Sequence, residues 1–313
     1  MSKASGSNRL AERKARHPAK SLRLPPIEEK DERSMQLPTV DYTAPDAFEG
    51  LVDSLIDTGF CVLKNHPIPK ELVESIYKNW QAFFDSEEKH EYFYDRTNQD
   101  GFFPASIAET AKGHTKKDIK EYYHIYPWGR IPAGLKEEAM DYYHRANAFA
   151  SRLLGGIQRC TPEWVFADRS MPLSKMIEGS AQTLLRVLHY PPITGEEEAG
   201  AIRAAAHSDI NFLTVLPAAN QPGLQVKHAD GHWIDVPGDF GYLIVNIGDM
   251  LQEATNGYFP STVHRVINPS GPSARRSRIS LPIFLHPRAD VVLSERYTAG
   301  DYLEERLREL GVK

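Results

Sequence analysis

From residue 183 to residue 285 the chain keeps one rhythm: β-favouring runs of four to eight residues, each broken off by turn chemistry. The runs fall at 183–190, 204–207, 212–216, 224–227, 233–236, 242–247, 263–267 and 278–285, and "NQPG", "HADGHW", "VPGDFG", "TNGY" and "NPSGPS" stand between them. Around eight short strands at that spacing bury themselves best as two packed sheets, so the pattern predicts a jelly roll or related barrel.

The preceding sequence is largely helical. "DAFEGLVDSLIDTGF" places Phe48, Leu51, Leu55 and Ile56 on one stripe, with Gly59 as the stop signal. A short strand at 61–66, a helix at 69–84 opened by proline, a loop-rich stretch at 95–135 and a long helix at 134–160 follow. Glutamates near the start of the long helix and an arginine near its end both suit its dipole. A last amphipathic pattern, "DYLEERLREL" at 301–310, either covers a site or caps the barrel. The expected fold class is mainly β with flanking α, a jelly-roll core with an amino-terminal helical region against one face.

Four segments are expected: a polar basic arm over 1–36, a helical and mixed region over 37–179, the β core over 180–290 and a C-terminal helix over 291–313. The arm carries nine Lys or Arg against five acids, a pattern of a mobile or loosely docked segment. The whole chain of 313 residues has a net charge of −5, which offers no basic field to nucleic acid or an anionic membrane. A small molecule is the expected partner. Two cysteines, no charged-then-apolar leader and no window of about 18 uncharged apolar residues point to the cytoplasm and to no membrane span.

Within the β rhythm, "AAAHSDINFLTVL" (204–216) sets His207 and Asp209 two positions apart, on one face of a strand of period two. Alone, H-x-D is a weak signal, and the pair could be structural. His264 in "STVHRVINP" is a candidate third ligand, at the start of another β-like run. Two imidazoles and one carboxylate form a facial triad that leaves three octahedral positions open, which suits Fe(II); zinc accepts the same ligand types. Arg278 and Ser280 in "RISLPIF" again share a face, offering a guanidinium fork and a hydroxyl for the far end of a dicarboxylate. Arg275 and Arg276 nearby leave a solvated rim as the other reading of Arg278, but only Arg278 lies within the apolar strand.

At these residues the chain resembles a known family. "HSD", "PGLQV", "LIVNIGDMLQEATNGYFPSTVHRVINP" and "RISLPIFLHP" stand in the order and spacing of the Fe(II)- and 2-oxoglutarate-dependent dioxygenases related to isopenicillin N synthase. "LPTVDY", "DTGFCVLKNHPIP" and "LLRVLHYPP" extend the resemblance upstream, over about residues 37–290. The resemblance implies a double-stranded β-helix, with Fe(II) as cofactor and 2-oxoglutarate and O2 as co-substrates. It further implies iron on His207, Asp209 and His264, and the distal carboxylate of 2-oxoglutarate on Arg278, Ser280 and Tyr190. The implied reaction releases succinate and CO2 while a small-molecule metabolite is hydroxylated, desaturated or cyclised. Presence of Asp209 speaks against halogenation, since related halogenating enzymes lack that carboxylate.

Strand parity places Arg186, Leu188, Phe284 and His286 on the substrate side, with Phe103 in an aromatic cluster that supplies a wall or belongs to the core. An arginine at 186 would favour a carboxylate-bearing substrate, or else pair with a neighbouring acid. Asn246, Gly248 and Asp249 in "NIGD" read as a turn motif. Three other functions compete: an oxidase of the isopenicillin N synthase type that uses no 2-oxoglutarate, a non-catalytic small-molecule-binding protein on the same fold, and a zinc hydrolase.

Overall fold

Gly59 ends the first helix as expected: its φ is 70°, and its amide donates to the Leu55 carbonyl at 3.0 Å. The helix it closes is α1 (Ala47–Thr58), lying between β1 (Thr39–Asp41) and β2 (Phe60–Lys64). Its buried face is Leu51, Val52 and Leu55, whereas Ile56 is exposed. Of the expected stripe, only Ile56 departs, because residue 56 is turned about 100° from Leu55. In this computed structural model residues 37–107 and 116–311 are described, and the basic arm expected at 1–36 lies outside them.

Helix α2 (Lys70–Phe84) starts after Pro69, and α3 (Ala133–Arg159) is the long helix. Glu138 of α3 does not serve the dipole. Its carboxylate accepts from Ser75 Oγ at 2.6 Å and Asn79 Nδ2 at 2.8 Å, tying α3 to α2. The face of α3 formed by Tyr142, Ala146, Phe149, Ala150 and Leu153 is wholly buried. Gly156 continues that face, since a Cβ there would collide with the ring of Phe48 from α1. Short α4 (Leu173–Met176) packs on α3.

The stretch expected to be loop-rich contains two strands, β3 (Gly101–Phe103) and β4 (Glu121–Ile125). Next come β5 (Leu184–Tyr190), β6 (Ala204–His207), β7 (Leu213–Pro217), β8 (Leu224–Lys227), β9 (Trp233–Asp235) and β10 (Leu243–Ile247). The chain continues through α5 (Asp249–Ala254), β11 (His264–Val266), β12 (Arg278–Ser280), β13 (Ile283–Leu285) and α6 (Ala299–Glu309). The run expected at 278–285 is therefore two strands, interrupted around Pro282, which has no amide proton to give a ladder. Thr298 caps α6, its hydroxyl accepting from the Asp301 amide at 3.1 Å.

Two sheets face each other, as the strand rhythm predicts. The larger runs β1-β2-β10-β7-β13-β5-β4-β3 with β12 also on β5, and the smaller runs β6-β11-β8-β9. Strands β1 to β4 come from the amino-terminal region, so the larger sheet crosses the boundary expected at 179/180. In β2 the pleat divides two cores: Cys61 and Leu63 join the helical layer, while Phe60 and Val62 join the space between the sheets. Coverage on both faces explains why this strand reads as a continuous apolar run.

Candidate active site

The antiparallel pair β6 and β11 sets His264 directly opposite His207, with ring centroids 4.5 Å apart. β6 ends at His207, so Asp209 lies just beyond the strand rather than on its face. The three still converge: one ligand atom from each of His207, Asp209 and His264 lies within 4.8 Å of the others. His207 Nδ1 is 2.7 Å from the Ala205 carbonyl and His264 Nδ1 is 3.2 Å from the Thr262 carbonyl. A carbonyl only accepts, so each Nδ1 carries the proton and each Nε2 keeps a lone pair for a metal.

The carboxylate is oriented by its neighbours. Thr214 Oγ1 donates to Asp209 Oδ2 at 2.6 Å and Asn246 Nδ2 donates to the same oxygen at 2.8 Å. Oδ1 is the oxygen nearer the imidazoles, 3.7 Å from His264 Nε2. Burial alone would raise the Asp209 carboxyl, but His264 and His207, with the Thr214 and Asn246 bonds, hold it below its ordinary value. Burial, reinforced by His264, pushes His207 down to about 4, so the imidazole is neutral at physiological pH. Two bare Nε2 atoms and one oriented, ionised carboxylate fit an Fe(II) facial triad.

A cavity opens on these residues; β12 and β5 contribute to its lining, and β4 pairs with β5 beside it, so the three strands form a grid. Arg278 pairs with Tyr190, and Lys120 precedes β4 at the same level. Ser280 pairs with Leu188, which pairs with Tyr122. Pro282 accepts from the Arg186 amide at 3.0 Å, and Arg186 pairs with His124. Arg278, Ser280, Tyr190, Arg186, Leu188 and Phe284 all line the cavity, as parity predicts. The grid thus has a cationic level, a largely apolar level and a second cationic level.

Arg278 is 3% exposed; its Nε donates to the Gln221 carbonyl at 3.1 Å, and its guanidinium lies 5.1 Å from the Tyr190 ring centroid. Arg186 meets a histidine and two aromatic rings. Its Nε donates to His124 Nε2 at 2.8 Å, and its guanidinium lies 4.6 Å from the Tyr122 ring centroid and 5.4 Å from that of Phe284. Phe103 and His286 stand outside the lining. Phe103 is stacked between Tyr94 and Tyr122, with centroids at 4.5 and 4.8 Å. His286 follows the end of β13, where strand alternation no longer fixes direction.

Other residues acquire roles through register. Asn246 pairs with Thr214 across β10 and β7, so both reach Asp209; the "NIGD" asparagine is part of the site rather than of a turn. Lys120 is buried against Asp118, Nζ to Oδ2 2.7 Å, and lines the cavity. The other Asp118 oxygen accepts from the Ala205 amide at 2.9 Å, tying this ion pair to β6.

Comparison with known proteins bears on this geometry. Residues 181–287 match the 2OG-Fe(II) oxygenase superfamily, and residues 36–146 match the family described as non-haem dioxygenase in morphine synthesis, N-terminal. An Arabidopsis thaliana protein named 1-aminocyclopropane-1-carboxylate oxidase homolog 4 is 30% identical over 275 residues, 86% of this chain and 74% of that one. The chain belongs to the 2OG-Fe(II) oxygenase superfamily. A solved structure of a candidate oxygenase from Shewanella oneidensis is 62% identical, with a TM-score of 0.81 over 89% of this chain and 100% of that one. A full-length Neurospora crassa protein solved in complex with alpha-KG shares the fold at a TM-score of 0.74, with 23% identity over 89% of this chain and 97% of that one.

As a superfamily member the protein is a 2-oxoglutarate-dependent dioxygenase, with Fe(II) as cofactor and 2-oxoglutarate and O2 as co-substrates. Its core is the expected jelly roll. The non-catalytic binding protein and the zinc hydrolase are thereby set aside. No helix among the described residues is long and apolar enough to cross a membrane.

Proposed function

We propose that the protein hydroxylates a small anionic metabolite, with His207, Asp209 and His264 holding Fe(II) and Arg278, Tyr190 and Ser280 holding the distal carboxylate of 2-oxoglutarate. When bound, the iron couples O2 reduction and decarboxylation of 2-oxoglutarate to succinate and CO2 with oxidation of the substrate. The chain's own contribution is orientation. Thr214 and Asn246 fix the carboxylate, the backbone carbonyls of Ala205 and Thr262 fix the imidazole tautomers, and Arg278 fixes one end of the cosubstrate.

The observation that carries the substrate class is Arg186. Its guanidinium lines the cavity two grid levels from Arg278 and is held there by a neutral histidine and two aromatic rings. A cation fixed in that way suits a carboxylate or a comparable anion on the substrate, such as an amino acid derivative. Two free thiols, Cys61 and Cys160, suit the reducing cytoplasm as its place of work.

The test is a screen of small acids and their neutral analogues, measuring succinate released with Fe(II) and 2-oxoglutarate present. The expected result is stimulation by a subset of the anionic compounds and its loss in Arg186→Met. Stimulation by neutral compounds alone, or an unchanged KM in Arg186→Met, overturns the anionic reading. Anaerobic titration of Fe(II) and 2-oxoglutarate tests the cosubstrate site separately. The visible charge-transfer band of the chelate weakens in Arg278→Ala if that site is correctly assigned.

A further inference from the structure

Arg203, one residue before β6, is 0% exposed although it carries a full charge. Its Nη2 donates to the Arg276 carbonyl at 2.9 Å, while Nε and Nη1 have no partner among the described residues. Arg278 is in a similar state, with Nη1 unpartnered. Both guanidinium groups approach one ring: Arg278 lies 5.1 Å and Arg203 6.0 Å from the Tyr190 centroid. Burial, and then the charge of Arg278, push Arg203 down to about 10, which leaves it cationic at neutral pH.

Two buried like charges beside one aromatic ring are costly unless an anion supplies what the protein does not. Asp118, which accepts from the Ala205 amide of β6, is already committed to Lys120. Arg278 lines the cavity and Arg203 does not. Arg203 therefore acts over a distance, through the Tyr190 ring it helps to hold and through its field in a poorly screened interior.

We propose that Arg203 is a second cation of the cosubstrate site, a positioning residue that selects 2-oxo acids bearing a distal carboxylate over those lacking one. This rests on Arg278 being the anchor for that carboxylate. Arg278 supplies the direct contact, and Arg203 adds charge and fixes Tyr190 without touching the ligand. A neutral residue at 203 would leave chelation of the keto-acid end intact and remove only the preference for a charged far end.

The experiment is anaerobic titration of the Fe(II)-loaded full chain with 2-oxoglutarate and, separately, 2-oxobutyrate, following the charge-transfer band. It compares the unaltered protein, Arg203→Gln, Arg203→Met, Arg203→Lys and Arg278→Ala. The two neutral variants differ in shape, so either one that folds suffices, and Arg203→Lys retains the charge if neither does. The expected result for a neutral variant is about tenfold weaker binding of 2-oxoglutarate and less than about twofold change for 2-oxobutyrate. Arg203→Lys keeps most of the preference.

Equal weakening for both acids, or no change for either, overturns the proposal; so does a lysine variant that binds both acids alike. If Arg278→Ala binds 2-oxoglutarate as the unaltered protein does, the cosubstrate assignment fails and this inference fails with it. If Arg278→Ala loses 2-oxoglutarate while the neutral Arg203 variants do not, only this inference fails.

Discussion

Asn246 Nδ2 lies 2.8 Å from Asp209 Oδ2, and the bond reaches across from β10 to the loop after β6. Together with Thr214 it occupies one carboxylate oxygen and leaves the other toward the two imidazoles. Replacing Asn246 with Ala removes one of two donors that hold this orientation. The expected outcome is Fe(II) affinity lowered by about 10- to 100-fold, with 2-oxo acid selectivity unchanged, measured by anaerobic metal titration. Affinity equal to that of the unaltered protein would show that Thr214 suffices.

Gly248 makes a second, separable prediction. Its φ of −100° is open to any residue, but a Cβ there would fall inside the contact distance of the Asn211 carbonyl and side-chain oxygens. Asn211 Nδ2 donates to Thr214 Oγ1 at 2.8 Å, so displacing Asn211 disturbs the hydroxyl that donates to Asp209. Gly248→Ala is expected to cost about 1–3 kcal/mol in urea unfolding and to weaken Fe(II) binding as well. A stability loss with metal affinity intact would separate the two effects.

How much of this was legible in the sequence depends on whether a residue's role is local or set by register. The β rhythm, the Gly59 stop and the parity of Arg278, Ser280 and Phe284 are local properties, and the fold reproduces them. β3 and β4 were unreadable because three- and five-residue strands among turn residues give too short an alternation to stand out. Asn246 looks like a turn residue until β10 is paired with β7, and Lys120 looks like a surface lysine until Asp118 is bonded to β6. His286 lies one residue beyond β13 and outside the cavity lining, although the charges of Asp209 and Arg186 act on it. Arg203 gave no signal, since an arginine beside an alanine run has no local pattern.

Acid should destabilise the metal-free protein earlier than its carboxylates alone would. Burial pushes His207 and His286 down to about 4, and burial with the charge of Arg186 holds His124 well below 6.5. The unfolded chain protonates these imidazoles near pH 6.5, before the native state does. They therefore leave stability unaffected above about pH 6.5 and lower it progressively as pH falls toward 4. Urea unfolding at several pH values is expected to show an uptake of up to about three protons on unfolding between pH 6.5 and 4. Stability that stays flat across that window would mean that these imidazoles are hydrated in solution.

His124 also bears on substrate recognition. Its Nδ1 is 2.8 Å from the Gln99 carbonyl, so that nitrogen carries the proton, and Nε2 is left to accept from Arg186 Nε at 2.8 Å. Protonating His124 would abolish the acceptor and set two cations against each other; burial and Arg186 are what prevent it. KM for an anionic substrate should therefore show no inflection near pH 6.5, the position of an ordinary histidine. His124→Leu removes the acceptor while keeping an apolar wall, so the hold on Arg186 loosens while its contacts with the Tyr122 and Phe284 rings remain. The expected effect is a KM raised about tenfold with kcat changed less, the pattern of lost ground-state positioning rather than lost chemistry. A matched fall in kcat with KM unchanged would instead place His124 at the reacting centre, and an inflection in the KM profile near pH 6.5 would show that the histidine is not held neutral.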